Sequence, residues 1–452
     1  MESPVLSIVR DVLCASISLE DGLSALQSVV RTHPEDLELA YEVARAIEEI
    51  ILRRPVLASA KLTELMVRHL SSERHTLPFL IMLLETRYTN AFRRNDAELL
   101  PDKEAIPRLL DILGEIAQSM TTALDLNLRP LLPFLADETL LTLDAIYVRG
   151  HNASIRVSLR EVHYLTSLLI DEGLFECAEA LLDRLLRICR EVGMNDMAYE
   201  VLLDEALVLT ELGMYQQCRE LIEPAIDEAE ASNDLERLAE LTLRLAVNET
   251  CDDTVDHVTA RAIGDKATSL FAEVVSRGIL PPTALGAAFL TIGSAILGTG
   301  WREGVQEAIV RFKSALELLE NVERSDPEHY YMLFKCLAGL GFAHGLCGDY
   351  DNTELAVDYF NHALSILREL EDTGVNVDIE RARCYNALGW TCLISESEEF
   401  WDTGINALQE AVSARRTLVE QGRTSEIEIL GSRLGLALSR LRTAEAIDDS
   451  LY

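Results

Sequence analysis

Lysine is almost missing from this chain of 452 residues: five are present, and arginine supplies the rest of its 40 basic side chains. Against 76 acids they leave a formal charge of −36, and nowhere do they cluster as a phosphate-binding surface requires. Direct binding of nucleic acid is therefore not expected; an acidic surface of this kind favours a basic partner or segment. Aromatic residues are scarce, at 6%, and no stretch sustains the alternating β-branched pattern of strands, so sandwiches and barrels are excluded. The nine cysteines are odd in number and none forms a Cys-x-x-Cys pair, which argues against a disulfide framework or a zinc site. Long uninterrupted apolar runs are lacking too. The uncharged segment from Gly278 to Trp301 is broken by Pro281 and Pro282 at its start and by Gly298 and Gly300 at its end. Its helical part, near Thr283 to Leu297, is too short to span a bilayer and reads as a buried core helix. The first residues, "MESPVLSIVRDVLC", show neither a basic n-region nor a long apolar h-region. The expectation is a cytoplasmic protein with no membrane contact.

What the chain does contain is leucine, alanine and glutamate in helical periodicity, over a length that calls for more than one packed unit. In "GLCGDYDNTELAVDYFNHAL", residues 345–364, a Gly-Asp-Tyr corner separates two apolar-periodic segments. Leu340-Gly341, just before it, recurs 48 residues earlier as Ile292-Gly293 and 48 later as Leu388-Gly389. Fifteen residues after each glycine stand Ala308, Ala356 and Gly404. Four further on come Phe312, Phe360 and Leu408, and three beyond those Ala315, Ala363 and Ala411. A small residue on a first helix lets a second helix cross it closely, and the small-large-small set lays one face of that second helix against it. Each hairpin then needs a neighbour to cover its remaining apolar face, so the copies stack. Leu436-Ala437 falls at the next step and reads as a capping helix.

Upstream, Gly173-Leu174-Phe175 aligns with Gly213-Met214-Tyr215 at a spacing of 40, followed by Leu181-Leu182 against Leu221-Ile222. The expected organisation is an N-terminal helical domain, 1–150, either separate or built of degenerate repeats; repeats of about 40 residues over 155–275; three repeats of 48-residue period plus a capping helix over 283–445; and a tail, 446–452.

Gly341 with Leu340, Gly348-Asp349-Tyr350, Ala356, Phe360 and Ala363 resemble the tetratricopeptide repeat (TPR) signature, with three residues inserted after the corner in every copy. Repeats lengthened in this way are similar to those preceding caspase-like CHAT protease domains in bacterial and fungal proteins. The resemblance implies an all-α fold of TPR-like helical hairpins forming an α-solenoid, with an N-terminal helical region. It also implies a protein that binds other proteins rather than an enzyme. A second function it implies is that of a regulatory or substrate subunit of a signalling or defence complex, for example one with a CHAT protease.

No phosphate loop, dinucleotide fingerprint or His-Glu-x-x-His occurs, so no cofactor and no metal are expected. His344 and Cys347 could form a dyad at their spacing, but they share one helix and nothing evident orients the imidazole; a packed helix end is the expectation. Asp349, Asp351 and Glu354 lack the spacing of a calcium loop and read as a solvated turn with capping acids. In TPR arrays the first helices line the concave face. Carried onto this sequence, the outward positions are Lys335, Phe342 and Leu346 in one copy and Arg383, Asn386 and Trp390 in the next. Lys335 and Arg383 are 48 apart and suit a peptide carboxylate. This is similar to the carboxylate clamp of chaperone-binding TPRs, although Ser294, Phe342 and Trp390 stand where that clamp has asparagines. The expected function is a scaffold or adaptor that takes a peptide or helix of a partner protein in the solenoid groove.

Overall fold

A computed structural model describes residues 100–125, 132–149, 152–171, 173–299, 304–322, 327–395 and 397–420, with the isolated residues 8, 25, 94, 97 and 433. Most of the expected N-terminal domain, Trp301, the capping helix at Leu436-Ala437 and the tail lie outside the described residues. Fourteen α-helices and no strand occur among the described residues. They are α1 (Asp102–Asp125), α2 (Leu132–Val148), α3 (Asn152–Asp171), α4 (Phe175–Glu191), α5 (Asn195–Glu211), α6 (Tyr215–Ser232) and α7 (Leu235–Cys251). They continue with α8 (His257–Ser276), α9 (Pro282–Gly298), α10 (Val305–Glu320), α11 (Pro327–Cys347), α12 (Tyr350–Asp372), α13 (Asp378–Ile394) and α14 (Trp401–Glu420). The fold is an all-α array of TPR-like helical hairpins.

Turn chemistry sets the pitch of its first half. Gly173, Gly193, Gly213 and Asn233 follow one another at 20-residue intervals, and each holds the left-handed conformation. At Gly213 the backbone N–H bonds to Thr210 O and that of Met214 to Leu209 O, closing the end of α5 as a glycine C-cap does. Asn233 does the same at the end of α6, with φ 54°; asparagine tolerates that region better than other side-chain-bearing residues. Two such helix-turn units give the 40-residue hairpin.

The chain divides into two compact units, residues 1–201 and 202–452, with the division inside α5. In the first, α1 packs on α2 and α3, and α4 on α2 and α3. Buried Arg94 pairs with Glu138 and donates to the Thr142 hydroxyl at 3.3 Å, and Arg184 holds Asp144 at 2.6 Å, tying α4 to α2.

The second unit is a stack of hairpins: α7/α8, α9/α10, α11/α12 and α13/α14. Each second helix packs on its own first helix and on the next one, as α10 does on α9 and α11. Successive first helices also touch, α7 with α9, α9 with α11 and α11 with α13, whereas no sustained contact joins successive second helices among the described residues. The first helices therefore form the inner face. Aspartates start three of these helices: Asp234 accepts from Arg237 N at 3.2 Å, Asp256 from Val258 N and Thr259 N at 3.0 Å, and Asp349 from Asn352 N at 2.9 Å. The uncharged segment becomes α9, whose Ala288, Leu290, Ile292 and Ile296 are buried against its neighbours. No described helix is long and apolar enough to cross a membrane.

The 48-residue period is a contact. A Cβ on Gly293 would stand 3.1 Å from the Phe312 ring, one on Gly341 3.0 Å from Phe360, and one on Gly389 2.5 Å from Leu408. The large residue of each second helix lies directly on the bare backbone of its first helix. Helix α11 carries two more glycines of this kind, facing outward from its own hairpin. Gly339 would meet Phe312 of α10 at 2.6 Å, and Gly345 would meet Thr391 of α13 at 2.5 Å. Overpacked cores lose about 1–3 kcal/mol, so Gly341→Val is expected to lower stability by that amount in urea denaturation. Combined with Phe360→Ala, its cost should fall below the sum of the two single changes in a double-mutant cycle.

Candidate functional site

The positions named from the sequence lie on two successive first helices, α11 and α13. Lys335 and Arg383 are exposed, Phe342 and Leu346 are 43% and 39% exposed, and Asn386 and Trp390 are half-buried. Exposure of two large apolar side chains a turn apart on α11 sets this face apart from the packed side of the same helix, where Leu337, Leu340 and Ala343 are buried. Lys335 Nζ lies 4.6 Å from the centroid of the Tyr331 ring, one turn earlier. The Tyr331 hydroxyl donates to Glu380 of α13 at 3.4 Å. Burial, and then the Glu380 charge, push the Tyr331 phenol up, while Arg383 draws it down. Tyr331 thus links Lys335 of α11 to Glu380 of α13.

Lys335 also forms the edge of a cavity of about 540 Å³, in the size range of ligand pockets. Its walls come from α5, α6, α7, α9 and α11, with Tyr215, Arg244, Thr291 and Ser294 among them. Arg244 and Lys335 make no ion pair among the described residues, and neither the Tyr215 nor the Ser294 hydroxyl has a described hydrogen-bond partner. Burial, then the Cys251 thiol and the acids Asp252, Asp253 and Glu211, raise the Tyr215 phenol, which keeps its proton available for donation. One carboxylate, Glu211, faces these open donors. The arrangement suits an anionic or hydrogen-bond-accepting group. Of its residues the sequence pointed to Lys335 and Ser294 through the 48-residue period and placed Tyr215 at a turn of the 40-residue one, whereas Arg244 carries no period that marks it.

Beneath the cavity lies a buried polar network that fixes α7 against the α5/α6 hairpin. Asn248 accepts from the Thr210 hydroxyl at 3.2 Å and donates to Tyr215 O at 3.2 Å. Arg219 spans Glu249 at 2.8 Å and Asp252 at 2.7 Å, the forked geometry only arginine offers. Burial acts to raise the Asp252 carboxyl, but hydrogen bonds from Thr254 and Arg219 outweigh it and hold the group below its usual value.

His344 and Cys347 do not form a dyad. His344 Nδ1 lies 2.6 Å from Asn352 Oδ1, and the imidazole stacks on Tyr359. The Asn352 amide donates to Asp349, so its oxygen faces the imidazole as acceptor. The Cys347 thiol points to Ala343 O at 3.6 Å; burial and the Asp349 charge raise its pKa, the opposite of what a nucleophile needs. No group of three or more metal-ligating side chains occurs among the described residues.

No family model matches this chain. No curated protein does either. Among solved structures, yeast Tom70 superposes over 99% of this chain and 91% of its own, at 13% identity and a TM-score of 0.42. A Rap protein complexed with competence and sporulation factor covers 94% of this chain and 99% of its own, at 15% identity and 0.40. BtubC from P. vanneervenii covers 57% and 92%, at 17% identity and 0.35. These superpositions are loose, and the fold described above rests on this chain's own helix order and contacts.

Arg219→Met would leave two buried carboxylates facing one another and is expected to cost roughly 3 kcal/mol at neutral pH. Because the native Asp252 pKa is depressed, its contribution is present above the unfolded value of about 3.8 and is lost as pH falls below it. Urea midpoints measured from pH 7 to pH 3 should show this acid-side loss in the parent and a weaker one in Arg219→Met.

Proposed function

We propose that this chain is a non-enzymatic scaffold that binds an extended or helical segment of another protein along the inner face of its first helices. The observation that carries this reading is the cavity of about 540 Å³ in which Arg244 and Lys335, unpaired cations in a chain of charge −36, meet the open hydroxyls of Tyr215 and Ser294. A carboxylate of the partner, from an acidic side chain or a chain end, would take these donors. Apolar side chains beyond it would cover Phe342, Leu346 and Trp390, and Arg383 would hold a second acceptor. The remainder of the partner is basic, since the acidic surface around the groove steers such a segment inward. First helices pinned on their outer side by packed second helices present these groups in fixed positions, which limits the entropy lost on binding.

Affinity purification of the tagged chain from its own cells, at low and moderate salt, tests this. One stoichiometric partner is expected. Its retention should fall at least about tenfold in Lys335→Glu combined with Arg244→Glu, and fall with added salt. His344→Ala and Cys347→Ser should retain it unchanged. A partner held equally well by the charge-reversed chain would overturn the groove reading.

A further inference from the structure

The 48-residue period extends one copy further upstream than its glycines suggest, and that copy is hollow. Helix α8 begins 48 residues before α10, and Ala260 and Ala267 occupy the positions of Ala308 and Ala315. Between them the large residue is missing: Gly264 stands where the next copies place Phe312 and Phe360. Three further positions change in the same place. At the next interface, where α10 meets the α11/α12 hairpin, Phe312 is 1% exposed, His344 stacks on Tyr359, and Asn352 bonds the imidazole. One period earlier those positions hold Gly264, Ile296, Arg311 and Gly304. Two side chains are removed outright, and Arg311 is drawn aside by ion pairs to Asp265 and, at 3.1 Å, Glu307. What is left is a cavity of about 500 Å³ among α8, α9 and α10, with Ala260, Gly264, Ile292 and Ile296 among its lining residues.

Packing does not explain Gly264. A Cβ there would meet only Ile292, at 3.6 Å, an ordinary contact, unlike the 2.5–3.1 Å contacts at Gly293, Gly339, Gly341, Gly345 and Gly389. A glycine inside a helix destabilises it relative to alanine. This one keeps a space open. The lining carries exposed Arg261 and buried Arg311 against Asp265 and Glu307, which offset one another. The Arg311 guanidinium already lies 6.0 Å from the Phe289 centroid, the side chain of this cavity best suited to lie against an aromatic plane.

We propose that this cavity binds an uncharged aromatic ring, of phenyl or indole size, in the place that Phe312 fills in the next copy. The ring is either a free small molecule or a side chain of a partner protein. It enters by a different face from the inner groove, so the site stands or falls apart from the proposed function.

The test is ligand-observed NMR titration of the full chain with two probes, indole and a capped Gly-Gly-Trp-Gly-Gly peptide. The expected result is saturable binding that Gly264→Phe reduces at least about tenfold, while Gly264→Ala leaves it within about twofold and raises the melting midpoint. Gly304→Asn, which installs the next copy's residue at the cavity mouth, should also weaken binding, and decides the matter if Gly264→Phe does not fold. Indole binding with no peptide binding marks a small-molecule site; peptide binding as tight or tighter marks a protein side chain. No binding of either probe, or equal binding in the filled variants, overturns the proposal. So does binding that appears only in Trp301→Ala, since the chain's own indole would then be the occupant.

Discussion

A large apolar side chain laid on bare backbone is the interaction on which the second unit depends. Phe312 over Gly293, Phe360 over Gly341 and Leu408 over Gly389 each set the distance and crossing of one hairpin. Once that distance is fixed, the small residues on either side, Ala308 and Ala315 or Ala356 and Ala363, are buried without gaps. The inner face follows from it as well, because second helices that bed deeply against their partners leave the first helices in contact with one another.

Charge is handled by arginine in the same economical way. Arg219 bridges Glu249 and Asp252, Arg311 bridges Asp265 and Glu307, and Arg94 serves Glu138 together with Thr142. Each holds two groups on different turns or helices, and Arg219 does so with both terminal nitrogens of its planar fork. An ammonium cannot reach two acceptors with such fixed geometry. The near absence of lysine, which has no evident meaning along the chain, fits a structure that needs its cations at the joints between helices. Arg244 and Lys335 differ from these arginines in making no ion pair among the described residues.

The sequence made legible whatever depends on a hairpin's own residues. The period, the small-large-small set on the second helices, the Gly-Asp-Tyr corner with Asp349 as cap, and α9 as a core helix could all be read there. Contacts between hairpins could not. Gly339 and Gly345 look like neighbours of Gly341 in one glycine-rich run, and only the positions of α10 and α13 show that the three face three different partners. Arg244 was hidden for the same reason, and Tyr215, visible as a turn residue of the 40-residue period, gave no sign that it shares a cavity with Lys335. The groove crosses from helices set by a 20-residue pitch to helices set by the 48-residue one, and no single period marks both of its sides. The hollow at Gly264 requires two copies to be compared, since a lone glycine in a helix announces nothing.

Helix α11 illustrates what this arrangement demands of the chain in time as well as in space. Three glycines within seven residues make it a poor helix in isolation, each costing up to about 1 kcal/mol relative to alanine. Its rigidity is borrowed from Phe312, Phe360 and Thr391, which approach from before, within and after its own hairpin. During synthesis the segment 327–347 emerges when only the first of these is in place, and it acquires its full set of contacts after α13 has followed. The array therefore does not simply grow one finished hairpin at a time. Helix α11 is complete only when the pieces on both sides of it are present, as a keystone is held by an arch.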